Sequence, residues 1–492
     1  MNATCQKCRH QFPIAKTVRA STNPPDHRLY AKLVLTSSGW KVYLPATPDD
    51  LQAYQECSGM LDTELRDGTI RLPETSLADG HNTKQAIGYN YRHWRQFFND
   101  RQLLALGWLQ GGIAEVSERE TRDLLLTLFS GLLEFNNLFA SYKGEGTGAV
   151  RHMFSHHILK PERMPVEANV WGTPRSSGSF LNLYNGRLKR AVEYREHPFE
   201  LNATTGEKVY GISQKFSGRL IAGFPSDGKT ETDTIYVACG SSDAIALPDR
   251  SVDIVVTDPP FFDNVHYSEL ADFFYAWQKL YPCGFVNGSS TTRHVNEVQD
   301  ANADAFSKKL AAVLKESARV LRDEGLLIFT YHHSRPDGWS SLLSAILRAG
   351  LSVVNCHPVK AEMSVAAPKT QAKEPIQLDA IIICRKATED PRTVCSLWAA
   401  VASAEKRAKE KIERLSVAGL AISRNDCRVV FMGQLLSELC PQPPASDASA
   451  LLLSVSQDTD RIIEAMAMCQ RNSIAKPLSK SGQHVQMPLP FS

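Results

Sequence analysis

Apolar residues in the middle of the chain form short runs that alternate with segments of helical spacing. The runs predict β-strands, and their residue ranges are 235–239, 254–257, 325–331, 351–356 and 378–384. The segments predict helices, at 268–280, 306–321 and 339–349, the last of them ended by Gly350. No helical segment separates the last two strands, which predicts an antiparallel hairpin at a sheet edge. We therefore expect an α/β domain in this part of the chain.

The segments on either side of this α/β pattern differ in character. Short strands and turns are predicted for residues 1–90, and helices for 91–200. The α/β pattern is assigned to 201–390. Helices with charges of both signs follow at 391–470, and a tail rich in Ser, Lys, Gln and Pro is predicted to be disordered at 471–492.

The run from Ile254 to Thr257 predicts a buried parallel strand, and two prolines end it. Asp258, Pro259, Pro260 and Phe261 should then form a loop at the carboxyl end of the strand, where open α/β sheets bind ligands. The Asp258 carboxylate and the Pro259 carbonyl can accept both N–H groups of an exocyclic amine on a base. An amine held in this way has a localised lone pair that can attack a methyl donor.

Phe261 adds a flat apolar face on which a base extracted from a helix could stack. An ordinary strand-to-helix turn can carry the same four residues. The motif therefore gains weight from its context, which is a strand that ends at the motif and a helix that follows it.

Bulk composition limits the partners only weakly. The 492 residues carry a formal net charge of +2, so a basic surface for nucleic acid would have to be local. The 11 cysteines are scattered, as in reduced intracellular proteins. There is no signal peptide or long apolar segment, so we expect a soluble cytoplasmic protein without a membrane partner.

Cys5 and Cys8 form a Cys-x-x-Cys pair near the N-terminus, which is half of a tetrahedral zinc site. The sequence contains no second Cys-x-x-Cys pair, and the spacing of His10 and His27 matches no usual zinc pattern. The pair is either a free or redox-active dithiol, or a half-site completed by residues outside this chain.

Several motifs together resemble those of bacterial adenine-specific DNA methylases that contain a zinc ribbon. The resemblance covers most of residues 1–385 and rests on Thr257–Leu270, Asp272–Trp277, Phe98–Leu104, Glu167–Asn169 and the Cys5–Cys8 pair. It implies a class I methyltransferase sheet, which is Rossmann-like, and methyl transfer from S-adenosylmethionine to an exocyclic amine. It also implies that Asp258 to Phe261 are catalytic and that Asp243 contacts the adenine of S-adenosylmethionine.

The first strand of that family, with its glycine-rich cofactor loop, has no counterpart in this sequence. The chain therefore resembles the downstream part of a longer protein, and either a separate polypeptide supplies the loop or the gene is truncated. Our leading hypothesis is a DNA amino-methyltransferase subunit acting on adenine N6, with cytosine N4 as the other DNA target. The alternatives are an RNA amine methyltransferase and an inactive DNA-recognition or scaffold subunit.

Other motifs carry less specific chemistry. Gly144–Gly148 follows a helix, not a strand, which argues against a cofactor loop. Pro282–Cys283 resembles the nucleophile of cytosine-C5 methylation, but it follows a helix and lies beyond the loop of Asp258 to Phe261. His332 and His333 are expected to be solvated polar residues at the end of a strand. The segment Gln486–Phe491 resembles peptides that dock on the bacterial sliding clamp, although a tail with apolar residues can also pack on its own domain.

Overall fold

The computed structural model divides into two compact units. Residues 1–213 and 266–294 form unit 1, and residues 214–265 and 295–492 form unit 2. The structure describes the following residues: 2–143, 149–156, 159–172, 178–202, 205–211, 218–225, 227–262, 266–281, 289–300, 302–361, 376–387, 396–439, 452 and 456–474.

Unit 1 combines small antiparallel hairpins with helices. Its strands are β1 Asn2–Thr4, β2 Gln11–Pro13, β3 Ala31–Leu35, β4 Lys41–Pro45, β5 Ser141–Lys143, β6 Ala149–Arg151, β7 Phe199–Leu201 and β8 Lys208–Tyr210. Its helices are α1 Ile14–Ala20, α2 Pro48–Arg66, α3 Lys84–Gly88, α4 Asp100–Ala114, α5 Arg119–Leu133, α6 Phe180–Leu183, α7 Arg190–Glu196 and α8 Tyr267–Gln278. Shorter helical turns span Trp94–Phe97, Met153–His156 and Tyr184–Lys189. The strands pair consecutively, from β1 with β2 to β7 with β8.

Aromatic side chains form the core of unit 1. The rings of Phe97 and Phe139 stack with their centroids 4.1 Å apart, and Phe98 stacks on Phe273 at 5.7 Å. Phe273 and Trp277, both on α8, are fully buried, so these aromatic side chains belong to the core. Because of these contacts, α8 packs in unit 1 although its sequence lies within the segment 201–390.

Unit 2 contains the α/β pattern. Its strands are β9 Arg219–Ala222, β10 Thr234–Val237, β11 Val252–Thr257, β12 Leu321–Tyr331, β13 Leu351–Lys360 and β14 Leu378–Lys386. Its helices are α9 Ala303–Val320, α10 Pro336–Arg348, α11 Leu397–Val417, α12 Arg424–Leu439 and α13 Ser456–Ile474. Local chemistry sets several ends: the Asn302 side chain caps α9, Pro336 begins α10, and Gly350 follows α10 with a φ of +71°.

The main sheet of unit 2 has the strand order β11-β12-β14-β13. β11 and β12 are parallel, with Thr257 opposite Phe329, and β12 is antiparallel to β14. β14 is also antiparallel to β13, which confirms the predicted hairpin at the edge of an α/β sheet. β9 and β10 form a separate parallel pair.

The prediction that β11 is a buried strand is wrong in part. Val255 packs against the core, but Ile254 is 55% exposed and Val256 is 74% exposed. β11 is one of the two edge strands of this sheet in the described part of the chain. A run of apolar residues predicts burial on both faces because parallel strands are usually covered on both.

Three segments discussed above lie outside the described residues: Gly144–Gly148, Pro282–Cys283 and Gln486–Phe491. Helix α13 continues to Ile474, four residues into the segment 471–492 that was predicted to be disordered, and the rest of that segment is outside the described residues. Among the helices that the structure describes, none combines the length and the apolar character needed to span a bilayer.

Candidate active site

The loop after β11 begins where the sheet can no longer continue. The pairing of β11 with β12 ends at Thr257, and Asp258 follows directly as an exposed residue at the carboxyl end of the strand. Pro259 and Pro260 lack the N–H groups that a further step of the ladder would require. The position expected for Asp258 from the sequence is therefore the one it occupies.

A hydroxyl from the neighbouring strand fixes the Asp258 carboxylate. Thr330 Oγ1 donates a hydrogen bond to Asp258 Oδ1. Thr330 is the residue after Phe329, the partner of Thr257 in the ladder, so the parallel register brings the two side chains together. With one oxygen held by Thr330, the carboxylate has further lone pairs for a ligand's N–H group.

Phe261 lies beside two rings from the end of β12. Its ring centroid is 5.5 Å from that of Tyr331, at an interplanar angle of 79°, and 4.5 Å from that of His332. The Phe261 side chain is half-buried. These contacts hold the ring in place, and a partly accessible ring three residues from an exposed carboxylate can stack on a planar ligand.

His332 lies beside the carboxylate of Asp379 on β14, the strand that pairs with β12. Its Nδ1 is 2.5 Å from Asp379 Oδ1, and the two side chains are 16% and 18% exposed. The ladder explains this contact, because Tyr331 pairs with Ala380 and the next position on each strand therefore faces the other. The prediction that His332 is a solvated polar residue is wrong, since the Asp379 carboxylate and the Phe261 ring enclose it.

The neighbouring His333 packs against the end of the loop that carries Asp258 and Phe261. It is 3% exposed, its Nδ1 accepts a hydrogen bond from the Arg335 N–H at 3.0 Å, and its carbonyl accepts one from Trp339 Nε1 at 2.9 Å. The His333 ring also contacts Phe262, which is buried. His333 is thus a structural residue and not, as predicted, a solvated one.

Phe262 completes this anchor. It adopts a φ of +59°, a conformation that bulky residues rarely take, and its ring packs against Phe306 at 5.2 Å. The burial of the ring compensates for the unfavourable backbone conformation. The loop that carries Asp258 and Phe261 is therefore fixed at both ends.

Asp243 lies in a turn that follows β10 and is half-buried. β10 pairs with β9, and no ladder joins this pair to the sheet of β11 in the described part of the chain. Asp243 and Asp258 thus each follow the carboxyl end of a parallel strand, but on separate sheets.

Cys5 and Cys8 lie in the tight turn of the β1–β2 hairpin. The Cys5 N–H donates to the His10 carbonyl and the Arg9 N–H to the Cys5 carbonyl, both at 2.8 Å, and Arg9 has a φ of +62°. The backbone N–H of Cys8, followed by the Cys8 thiol and the Lys7 N–H, lowers the pKa of Cys5. This turn favours a thiolate at Cys5.

A complete zinc site is not formed by the residues that the structure describes. No group of three or more His, Cys, Asp or Glu side chains among them is arranged to hold a metal ion. Two thiols supply half of the four ligands of a structural zinc site, so the partial zinc ribbon stays a prediction.

Asp272 and Glu269, two acidic residues shortly after the Asp258 loop in the sequence, have a structural role in unit 1. Asp272, which is 6% exposed, accepts hydrogen bonds from the Thr291 hydroxyl, from the N–H and hydroxyl of Thr292 and from Arg293 Nε. Glu269 accepts the backbone N–H groups of His81 and Asn82 at 3.1 and 2.6 Å. These carboxylates hold loops to α8.

Thr330 and Asp379 are the site residues that the sequence did not reveal. Both lie inside apolar strands, where a single polar residue is most simply explained as facing solvent. Their positions in the strands could have indicated that they lie near Asp258. Thr330 lies just before Tyr331, which ends β12, and Asp379 is the second residue of β14.

Comparisons with known proteins add little. No protein-family model matches the chain, and neither does any curated protein. Among solved structures, one match is a Thermus thermophilus protein provisionally named a DNA modification methylase, solved as its selenomethionine derivative. It is 14% identical, with a TM-score of 0.19, over 39% of this chain and 63% of that one. The match thus spans less than two thirds of the Thermus protein.

Proposed function

We propose that this chain is the target-base half of a DNA amino-methyltransferase, with adenine N6 favoured over cytosine N4. The observation that carries the proposal is the pairing of an exposed carboxylate, Asp258, with a partly accessible ring, Phe261, on one rigid loop. The loop lies at the carboxyl end of an edge strand of an α/β sheet. The strand order β11-β12-β14-β13 supports a class I methyltransferase sheet.

Each residue of the loop has a defined task in this proposal. Phe261 stacks on the extracted base, while Asp258 and the Pro259 carbonyl accept the two N–H groups of its exocyclic amine. Pro260 restricts the backbone between these groups. Thr330 acts as a positioning residue, because its hydrogen bond holds Asp258 in one orientation.

S-adenosylmethionine would supply the methyl group as an electrophile. The residues that the structure describes fit it incompletely, since Asp243 offers a carboxylate for its adenine but no glycine-rich loop accompanies Asp243. Close backbone approach to a ligand usually requires such glycines. We therefore propose that a second polypeptide completes the methyl-donor site, and that the chain alone binds S-adenosylmethionine weakly. Titration calorimetry tests this, and micromolar binding by the isolated chain would contradict it.

The product of the reaction tests the proposed function itself. The chain would be incubated with S-adenosylmethionine labelled in the methyl group, a completing polypeptide, and either unmodified DNA or RNA of the same sequence. Nucleoside analysis of the digest should find N6-methyladenine in DNA. Label in RNA alone would favour the RNA methyltransferase, and no label in either, with donor binding intact, would indicate an inactive subunit.

A further inference from the structure

Helix α12 is buried on all its sides, because every residue from Asp426 to Leu436 is buried. A helix in this environment is usually apolar throughout. Asp426 and Arg428 depart from that pattern, since both are charged although they are only 0% and 8% exposed. A buried charge is costly unless it is bonded, so the partners of these two side chains indicate their role.

Asp426 holds the start of β14. Its Oδ1 accepts hydrogen bonds from the backbone N–H groups of Gln377 and Leu378, at 2.7 and 3.0 Å. Leu378 is the first residue of β14, and the next residue is Asp379, the partner of His332. One buried carboxylate thus fixes the backbone immediately before Asp379.

Arg428 holds the loop that follows β12. Its Nη1 donates a hydrogen bond to the carbonyl of Ser334, and its Nη2 donates one to Asp460 Oδ1 on α13 at 2.6 Å. Ser334 is the second residue after His332 in the sequence. A guanidinium is a planar fork of donors, so one side chain can bind both acceptors. Arg428 thus fixes the backbone just beyond His332.

One helix therefore holds the backbone on both sides of the His332–Asp379 pair. Within the pair, His332 Nδ1 lies 2.5 Å from Asp379 Oδ1. The bonds from α12 reach β14 just before Asp379 and the loop just after His332. The centroid of the His332 ring in turn lies 4.5 Å from that of the Phe261 ring. A shift of the loop after β12 would thus move His332 relative to Phe261.

We propose that Arg428 is a positioning residue for Phe261, the ring that stacks on the target base in the proposed function. Arg428 acts on His332 through the Ser334 carbonyl, while Asp426 keeps the start of β14 on the same helix. The chemical role of the ring rests on the proposed function, whereas its positioning rests on these contacts. Helices α12 and α13, which follow the last strand of the sheet in the sequence, then belong to the framework of the site.

The same helix supplies a matched control for this inference. Arg424, one turn before Arg428, pairs with Glu464 at 2.6 Å and with Asp460 at 3.8 Å, so both arginines join α12 to α13. Within the part of the chain that the structure describes, the bond to the Ser334 carbonyl distinguishes Arg428 from Arg424. A role limited to stability predicts similar effects for the two arginines, whereas a positioning role predicts an effect on Phe261 for Arg428 alone.

Nuclear magnetic resonance tests the positioning without requiring catalysis. The full chain would be labelled with carbon-13 in its histidine rings, and the His332 signal would be identified by its loss in His332→Gln. Phe261→Leu removes the aromatic ring, so the change in the His332 signal measures the influence of that ring. Arg428→Gln should move the His332 signal towards its position in Phe261→Leu, and Arg424→Gln should leave it in place.

Arg428→Lys guards against a failure of Arg428→Gln to fold. Lysine keeps a positive charge for Asp460 but lacks the planar fork that binds two acceptors. It should move the His332 signal in the same direction as Arg428→Gln. An unmoved His332 signal in the folded Arg428 variants would overturn the inference, as would an equal movement in Arg424→Gln.

Kinetics of the complete enzyme give a second readout. Arg428→Gln should raise the KM for unmodified DNA by about fivefold and leave the KM for S-adenosylmethionine unchanged, because the base meets a ring that is held less firmly. A variant that merely loses folded protein has a lower kcat at an unchanged KM. Arg424→Gln should show no more than that loss.

The two readouts separate this inference from the proposed function. If the wild-type complex transfers no methyl group while the Arg428 variants still move the His332 signal, the ring is positioned as inferred and the proposed chemistry is removed. If the wild-type complex transfers methyl groups and the Arg428 variants leave the KM for DNA unchanged, the positioning role is overturned and the chemistry remains.

Discussion

Two carboxylates from one stretch of sequence, Asp258 and Asp272, have opposite environments. Asp272 is buried and accepts hydrogen bonds from Thr291, Thr292 and Arg293. Asp258 is exposed, and one of its oxygens accepts the Thr330 hydroxyl. Asp272 uses its lone pairs to hold a loop to a helix, whereas Asp258 retains lone pairs that face solvent.

The difference shows how a structural carboxylate can be distinguished from a candidate catalytic one. A buried carboxylate must be paired because an unpaired charge away from water is costly. A carboxylate that binds a ligand must remain open until the ligand arrives, and it needs only enough contacts to fix its orientation. By this criterion Glu269 belongs with Asp272, because it accepts the N–H groups of His81 and Asn82.

The largest effect should come from Asp272→Ala. Its removal takes the acceptor from Arg293 Nε, the Thr291 hydroxyl and the Thr292 N–H, which should lower the free energy of unfolding by about 3 kcal/mol. Asp258→Ala should change it by less than about 0.5 kcal/mol. Urea denaturation measures both. Equal losses for the two variants would abolish the contrast between these carboxylates.

Phe261→Ala should affect activity more than folding, because its ring is half-buried. Loss of stacking should raise the barrier by about 1–3 kcal/mol, or about 5- to 150-fold in kcat/KM of the complete enzyme. Phe261→Tyr keeps the ring and is the matched control, which should retain most of the activity. If Phe261→Ala and Phe261→Tyr behaved alike, the ring would have no role in binding the base.

Asp379→Asn should have a smaller effect, of about 1 kcal/mol, because it weakens only the contact that holds His332 against Phe261. The loss should appear in kcat/KM and should vanish when the Phe261→Ala change is already present. A double-mutant cycle measures this coupling. A loss that persists in the Phe261→Ala background would show that the His332–Asp379 pair acts independently of the ring.

The smallest expected effect is a difference in reactivity between exposed and buried cysteines. Burial raises the pKa of Cys356 and of Cys427 to about 12, whereas the N–H of Cys8 lowers the pKa of Cys5. Near pH 8, iodoacetamide should therefore label Cys5 well before Cys356 and Cys427, which should react only after unfolding. Peptide mass spectrometry measures the order, and early labelling of Cys356 would contradict the core described for unit 2.

The sequence predicted those features of the fold that depend on local pattern. The strand ending at Thr257, the exposed Asp258 after it, and the hairpin of β13 and β14 follow from apolar runs, prolines and the missing crossover helix. Contacts across the ladder could not be predicted, because Thr330 and Asp379 approach the site only through the register of β12 with its two neighbours. The exposure of Ile254 and Val256 was missed for a different reason, since a run of apolar residues does not reveal whether a covering layer is present.

The most direct test of the central claim replaces Asp258 in the complete enzyme. Methyl transfer to unmodified DNA would be measured for wild type, Asp258→Asn and Asp258→Ala, with S-adenosylmethionine affinity and thermal unfolding as controls. Both variants should lose about 100-fold or more in kcat while donor affinity and stability remain unchanged, because the amine loses the carboxylate that accepts its N–H group. Activity of either variant within a few-fold of wild type would contradict the assignment of Asp258 as the catalytic residue.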